Sequence, residues 1–286
     1  MFRDRVAGVL ATAAERALIE QWIAAGAVWP ADMPSLADLI PKKPRPDKGR
    51  DHWAFQPLVR PPVPGASAGT TPIDAFVQEK LTAAGIAMNP EADPRTLIRR
   101  VSFDLVGLPP TPAEVTEFEE ACRLAGSTDW PYCALVDRLL STPGFGERWA
   151  RHWLDVVRFA ESDGFETNTF RPNAWPYRDW VIASLNADKP YDRFVKEQLC
   201  GDRLGADAAT GFIVGGPTDR VLSPDPVLTA NQRADELHDM VSTAGSAFLG
   251  LTVGCARCHD HKFDPRVADG LLPLEGGFRG GEARRA

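Results

Sequence analysis

Proline placement constrains this chain more than any other feature. The 286 residues include 25 prolines, and each one fixes φ near −65° and removes a backbone donor. They fall in two kinds of place. Pro41-Lys-Lys-Pro-Arg-Pro and Arg60-Pro-Pro-Val-Pro-Gly cannot continue a helix, and they push the preceding residue toward extended geometry. Residues 31–72 therefore read as a Pro-rich linker. It wraps one short anchored element, His52-Trp53-Ala54-Phe55, expected to be extended and to bury Trp53 and Phe55. Elsewhere several prolines stand at the first position of a helix, where no partner for the nitrogen is missed. Thr71-Pro72 and Asp93-Pro94 are such starts, and Thr111-Pro112-Ala113-Glu114 is a capping-box pattern.

Apolar periodicity agrees with a helical reading. Leu18, Ile19, Trp22 and Ile23 predict a helix over Ala11 to Ile23, stopped near Gly26. Phe76, Val77 and Leu81 form the stripe after Pro72, with Gly85 as a left-handed stop. Leu97, Ile98, Val101 and Leu105 point inward from the next helix, which ends at Gly107. Trp149, Trp153, Val156 and Val157 mark a further face, as do Leu237, Met240, Val241, Ala244 and Phe248. Strand-like alternation is scarce, and Gly211-Phe-Ile-Val-Gly is one short candidate. The expected fold is mostly α, an irregular multi-helix domain with long Pro-rich connections and few or no strands. The helical domain is placed at 73–268, and 269–286, which lacks any period, is expected to be disordered or aberrant.

A formal charge of −7 argues against non-specific nucleic-acid binding and against a polybasic membrane anchor. No run approaches the roughly 18 apolar residues that span a bilayer, so no direct membrane span is expected. The region Val6 to Ala14 carries only Val6, Val9 and Leu10 as larger aliphatics and makes no credible signal peptide.

The five cysteines, Cys122, Cys133, Cys200, Cys255 and Cys258, are not a disulfide framework. Two of them form Cys255-Ala-Arg-Cys258-His259, the attachment pattern of c-type haem. Two thiols one turn apart add to the two haem vinyl groups, and the adjacent imidazole meets the iron. With 5 Cys and 5 His, composition alone would produce the pattern roughly once in a thousand such chains. Zinc is the alternative, held by Cys255, Cys258, His259 and His261; a redox dithiol is a third reading. Cys122, Cys133 and Cys200 read as core thiols. For a second axial position the candidates are Met240, His238, His152 and His52, besides His261 as a metal ligand. Met240 lies on an apolar stripe and reads as core, whereas His238 and His152 read as solvated surface. Asp260 and Asp264 flank the motif and could orient His259, or form a solvated turn ending at Pro265. With Arg158, Glu161 and Asp163 they make a candidate polar site for acid–base work or a cation. Surface or interhelical ion pairing is the competing reading.

Five segments carry a family resemblance. They are Leu97-Ile-Arg-Arg-Val-Ser-Phe-Asp-Leu-Val-Gly-Leu-Pro-Pro-Thr, Gly146-Glu-Arg-Trp-Ala-Arg-His-Trp-Leu-Asp-Val-Val-Arg-Phe-Ala-Glu-Ser-Asp-Gly, Tyr177-Arg-Asp-Trp-Val-Ile, Pro190-Tyr-Asp-Arg-Phe-Val-Lys-Glu-Gln-Leu, and Phe248-Leu-Gly-Leu-Thr-Val-Gly-Cys-Ala-Arg-Cys-His-Asp-His-Lys-Phe-Asp-Pro. Together they resemble the domain of unknown function that accompanies planctomycete-type cytochrome c modules in large exported proteins. Residues 1–30 resemble the closing helix of the preceding cytochrome c module. The resemblance implies a periplasmic or exported protein and covalent haem c. It also implies electron transfer to a redox partner or to the upstream module. Two departures stand out: no signal peptide is recognised, and the segment after the Cys-His motif turns Gly/Arg-rich. The chain is therefore expected to be a fragment, with an internal start at Met1 and a break near Ala268.

Overall fold

The prolines that mark helix starts in the sequence mark them in the structure. A computed structural model describes residues 13–26, 52–65, 71–221 and 223–257. Helices α2 (Pro72–Ala83), α3 (Pro94–Leu105), α4 (Pro112–Ala125), α6 (Pro143–Val156) and α10 (Pro226–Leu249) all open on proline. Thr71 accepts from the Asp74 amide and Asp93 from the Thr96 amide. Both halves of the capping box form, Thr111 with the Glu114 amide and Glu114 with the Thr111 amide. Each such cap contributes about 1 kcal/mol. The remaining long helices are α1 (Ala13–Ala24), α5 (Asp129–Leu140), α7 (Trp175–Asn186) and α8 (Tyr191–Leu204). Short α9 covers Gly211–Val214. Among the described residues, an isolated bridge between Ser162 and Phe170 is the extended pairing that is found, so the fold is mostly α.

The chain divides into two compact units, Met1–Lys48 and Gly49–Ala286. In the first, α1 ends at Ala24, Gly26 two residues on has a left-handed φ of 91°, and Leu18, Trp22 and Ile23 are exposed. The second holds two apolar cores. Ile98 and Val101 of α3 meet Phe118 and Cys122 of α4 and Leu135 and Leu139 of α5. Ala150, Val157, Tyr177, Val181, Phe194 and Phe212 form the other core, with Trp153 and Phe248 packed against it. A smaller cluster joins Val241 of α10 to Leu251 and Val253.

Several expectations are corrected. Trp53 and Phe55 are exposed, and Trp53–Phe55 is a 3-10 turn rather than an extended segment, because the His52 side chain caps it. On α2 the buried residue is Ala75, while Phe76 and Val77 are exposed. On α6 the inward set is Gly146, Ala150, Trp153 and Val157; Trp149 and Val156 face outward. The shift follows from close approach to α7, where the Gly146 amide donates to Asn186 Oδ1 at 2.8 Å. The strand candidate is α9. Its Phe212 and Ile213 are both drawn into the second core, which a single helical turn allows without a partner strand. Cys122 is buried, but Cys133 and Cys200 are exposed, so only the first is a core thiol. The segments 31–51, 66–70 and 258–286 lie outside the described residues, and with them the predicted tail 269–286.

Candidate functional site

The first half of the Cys-His motif sits on a turn clamped to α10. That helix stops at Gly250, with φ of 64°, and the Leu251 amide bonds back to the Gly245 carbonyl at 3.1 Å. The chain then reverses into a 3-10 turn, Val253–Arg257, laid along the helix it has just left. Val253 and Ala256 are buried, and Arg257 pairs with Asp235 at 2.5 Å. A side chain at Gly245 would come within 2.7 Å of Val253, so only glycine admits this packing. Cys255 is thereby held outward, exposed and with a free thiol.

The backbone of this turn rests on two polar side chains of α10. A Cβ at Gly254 would stand 3.1 Å from Ser242 Oγ and 3.6 Å from the His238 ring. His238 Nδ1 and Ser242 Oγ are buried and have no hydrogen-bond partner among the described residues. This corrects the reading of His238 as solvated: being one turn from Ser242, it faces the reversing chain. Met240 is buried on another face, beside Arg158, Ile213 and Asp239, and is a core residue. His152 is exposed against the Trp149 ring, and His52 caps its own turn. Cys258, His259, Asp260, His261 and Asp264 fall outside the described residues. Among the described residues no group of three or more His, Cys, Asp or Glu side chains is arranged to hold a metal.

The candidate polar residues 158–163 do not converge on one another. Arg158 bonds to Asp239 at 2.6 Å, and Glu161 pairs with Arg178 at 3.0 Å. Asp163 is different. Its side chain is 2% exposed, and its carboxylate accepts from Arg171 Nε at 2.5 Å and from Arg220 Nε. Burial would raise its pKa, but the hydrogen bonds and charges of Arg220 and Arg171 outweigh that and hold it below the usual carboxylate range. An ionised, doubly clamped carboxylate is a fixed charge and a poor proton donor at neutral pH. Arg171 and Arg220 went unnoticed in the sequence. They stand 8 and 57 positions from Asp163 in irregular segments, and no local pattern links them. Together with Phe159, Tyr177 and Val214 they line a cleft of about 530 Å³.

Residues 72–280 match the family model PSCyt2, described as a protein of unknown function (DUF1549). The chain belongs to the PSCyt2 family. The matched span contains both cores of the PSCyt2 domain, the Asp163 cleft, and the whole of Cys255-Ala-Arg-Cys258-His259. No match was found among curated proteins or among solved structures.

Behind the cleft of this PSCyt2 domain lies a buried polar knot. Trp153 Nε1 donates to Gln198 Oε1 at 2.9 Å, and the Tyr177 hydroxyl donates to the same oxygen at 2.7 Å. Burial pushes the Tyr177 hydroxyl well above its ordinary pKa, so it stays protonated as a donor. Glu197 is likewise buried; burial would raise its pKa, but Lys189 and Arg193 hold it lowered. All of these groups are satisfied, so they shape the site rather than react.

Proposed function

We propose that this PSCyt2 domain carries covalent haem c on Cys255 and Cys258, with His259 as the side chain that would hold its iron, and serves electron transfer in an exported or periplasmic protein. The observation that carries the reading is a Cys-x-x-Cys-His motif whose first thiol stands free and exposed on an anchored turn. When bound, haem supplies a one-electron couple. Of the three motif residues Cys255 is described, and its setting supports the reading. Cys255 offers its thiol outward, while Val253, Ala256 and the Arg257–Asp235 pair fix the turn that presents it. His238 supersedes Met240 as the described residue that would help hold the group. Its buried Nδ1 has no partner among the described residues and its ring lies against Gly254, whereas Met240 belongs to the core. Asp260 and Asp264 would orient His259 through its second ring nitrogen. The partner would be a redox protein or an upstream cytochrome c module, as the family resemblance implies.

The test is expression of the full chain with and without c-type haem maturation, followed by a haem-stained denaturing gel and a metal assay. Haem that survives denaturation and is lost in Cys258→Ser supports the proposal; one zinc per chain with no haem replaces it with the zinc reading. A second reading, an extracytoplasmic enzyme or binding domain, is favoured by the Asp163 cleft. Turnover or ligand binding that persists in Cys258→Ser would support it.

A further inference from the structure

We infer that the cleft beside Asp163 binds a small molecule bearing one carboxylate, captured by the guanidinium of Arg220. The volume of about 530 Å³ lies within the range of small-molecule sites. Phe159, Pro172, Pro176 and Val214 give it an apolar lining suited to a ligand body.

The two arginines on Asp163 have different duties. Arg171 is engaged on both edges: Nε on Asp163, Nη1 on the Gly215 carbonyl at 3.0 Å and Nη2 on the Gly216 carbonyl at 2.6 Å. It is a structural clamp, 14% exposed. Arg220 donates only through Nε, and its Nη1 and Nη2 meet no hydrogen-bond partner among the described residues. Its side chain is 58% exposed and lines the cleft. Asp163 thus fixes the plane of a guanidinium whose outer edge faces open space. Two positive charges stand on one buried carboxylate, so the cluster at Asp163 is locally positive, although Asp207 brings the charged lining of the cleft to balance. A forked donor with unit charge matches a carboxylate bidentately. Asp207 also lines the cleft and would repel further negative charge, which selects a monocarboxylate over phosphate. Phe165 and Arg158 both hold φ of 56° in the loop that carries Asp163. Left-handed backbone at such residues gathers around ligand sites.

Among the described residues, none of the turn Val253–Arg257 lines the cleft, so the test is run on the chain without haem. The experiment is isothermal titration of the full chain with benzoate and galacturonate, with neutral benzamide and galactose as controls, and with inorganic phosphate. Saturable binding of at least one acid, with no binding of its neutral counterpart, is expected. Arg220→Gln should weaken binding at least about tenfold, the loss of a charge-assisted fork. Arg220→Lys should bind weakly, having the charge without the fork. Val214→Trp fills the cleft from an exposed wall position and leaves the Asp163 network intact, so it serves if Arg220→Gln does not fold. No saturable binding of either acid overturns the inference. So does equal binding of the neutral analogues, preference for phosphate, or unchanged binding in Arg220→Gln or Val214→Trp.

Discussion

Asp163→Asn separates a structural ion network from a decorative one. The carboxylate is 2% exposed and Arg171 is 14% exposed, so this pair is largely removed from water, whereas Arg220 is 58% exposed. Removing one partner of a buried pair costs about 3–5 kcal/mol, because the other charge stays desolvated. Here Arg220 can rehydrate, and asparagine still offers Arg171 an acceptor. The low end applies, about 3 kcal/mol. For a domain of this size that corresponds to a fall in Tm of roughly 6–12 °C. Acid sharpens the test. The folded-state pKa of Asp163 lies below its unfolded value. Its contribution is therefore complete above the ordinary carboxylate pKa and disappears as pH falls through the lowered one. The gap between wild type and Asp163→Asn should be widest at pH 7 and narrow below about pH 4. Urea denaturation followed by circular dichroism at pH 7, 4 and 3 measures it. A loss under about 1 kcal/mol at pH 7, the scale of an exposed pair, or a gap that ignores acidification would refute the reasoning.

Two further outcomes are expected. Gly211→Ala places a Cβ 2.5 Å from Tyr177 Cβ and 2.8 Å from its Cγ, and should destabilise by about 1–3 kcal/mol through overpacking, read as a lower urea midpoint. Alkylation of the native chain should label Cys133 and Cys200 quickly and spare Cys122, whose thiol is buried and raised in pKa chiefly by desolvation. Fast labelling of Cys122 would show the first core to be open.

What could be read from the sequence was local. Thr111-Pro-Ala-Glu114 encodes its cap within four positions, and Asp93-Pro94 does the same, so the helix starts were visible. The stripe of Ile98 and Val101 was visible because one period sets one face. Facing choices made by a neighbour were not. Half of the stripe on α6 holds: Trp153 and Val157 pack inward, but Gly146 and Ala150 replace Trp149 and Val156 because they let α7 approach. Gly211-Phe-Ile-Val-Gly is too short for periodicity to tell a strand from a buried helical turn. The Asp163 cleft depends on Arg171 and Arg220, which tertiary packing alone brings to one carboxylate. His238 read as surface because its cover, Gly254, comes from a chain reversal after α10.

The central claim, covalent haem on Cys255 and Cys258, is tested most directly by thiol counting. The chain is produced with haem maturation, denatured, reduced and alkylated, and its intact mass and labelled peptides are determined. The account predicts one haem retained and three labelled cysteines, Cys122, Cys133 and Cys200. Five labelled cysteines and no retained haem would contradict it.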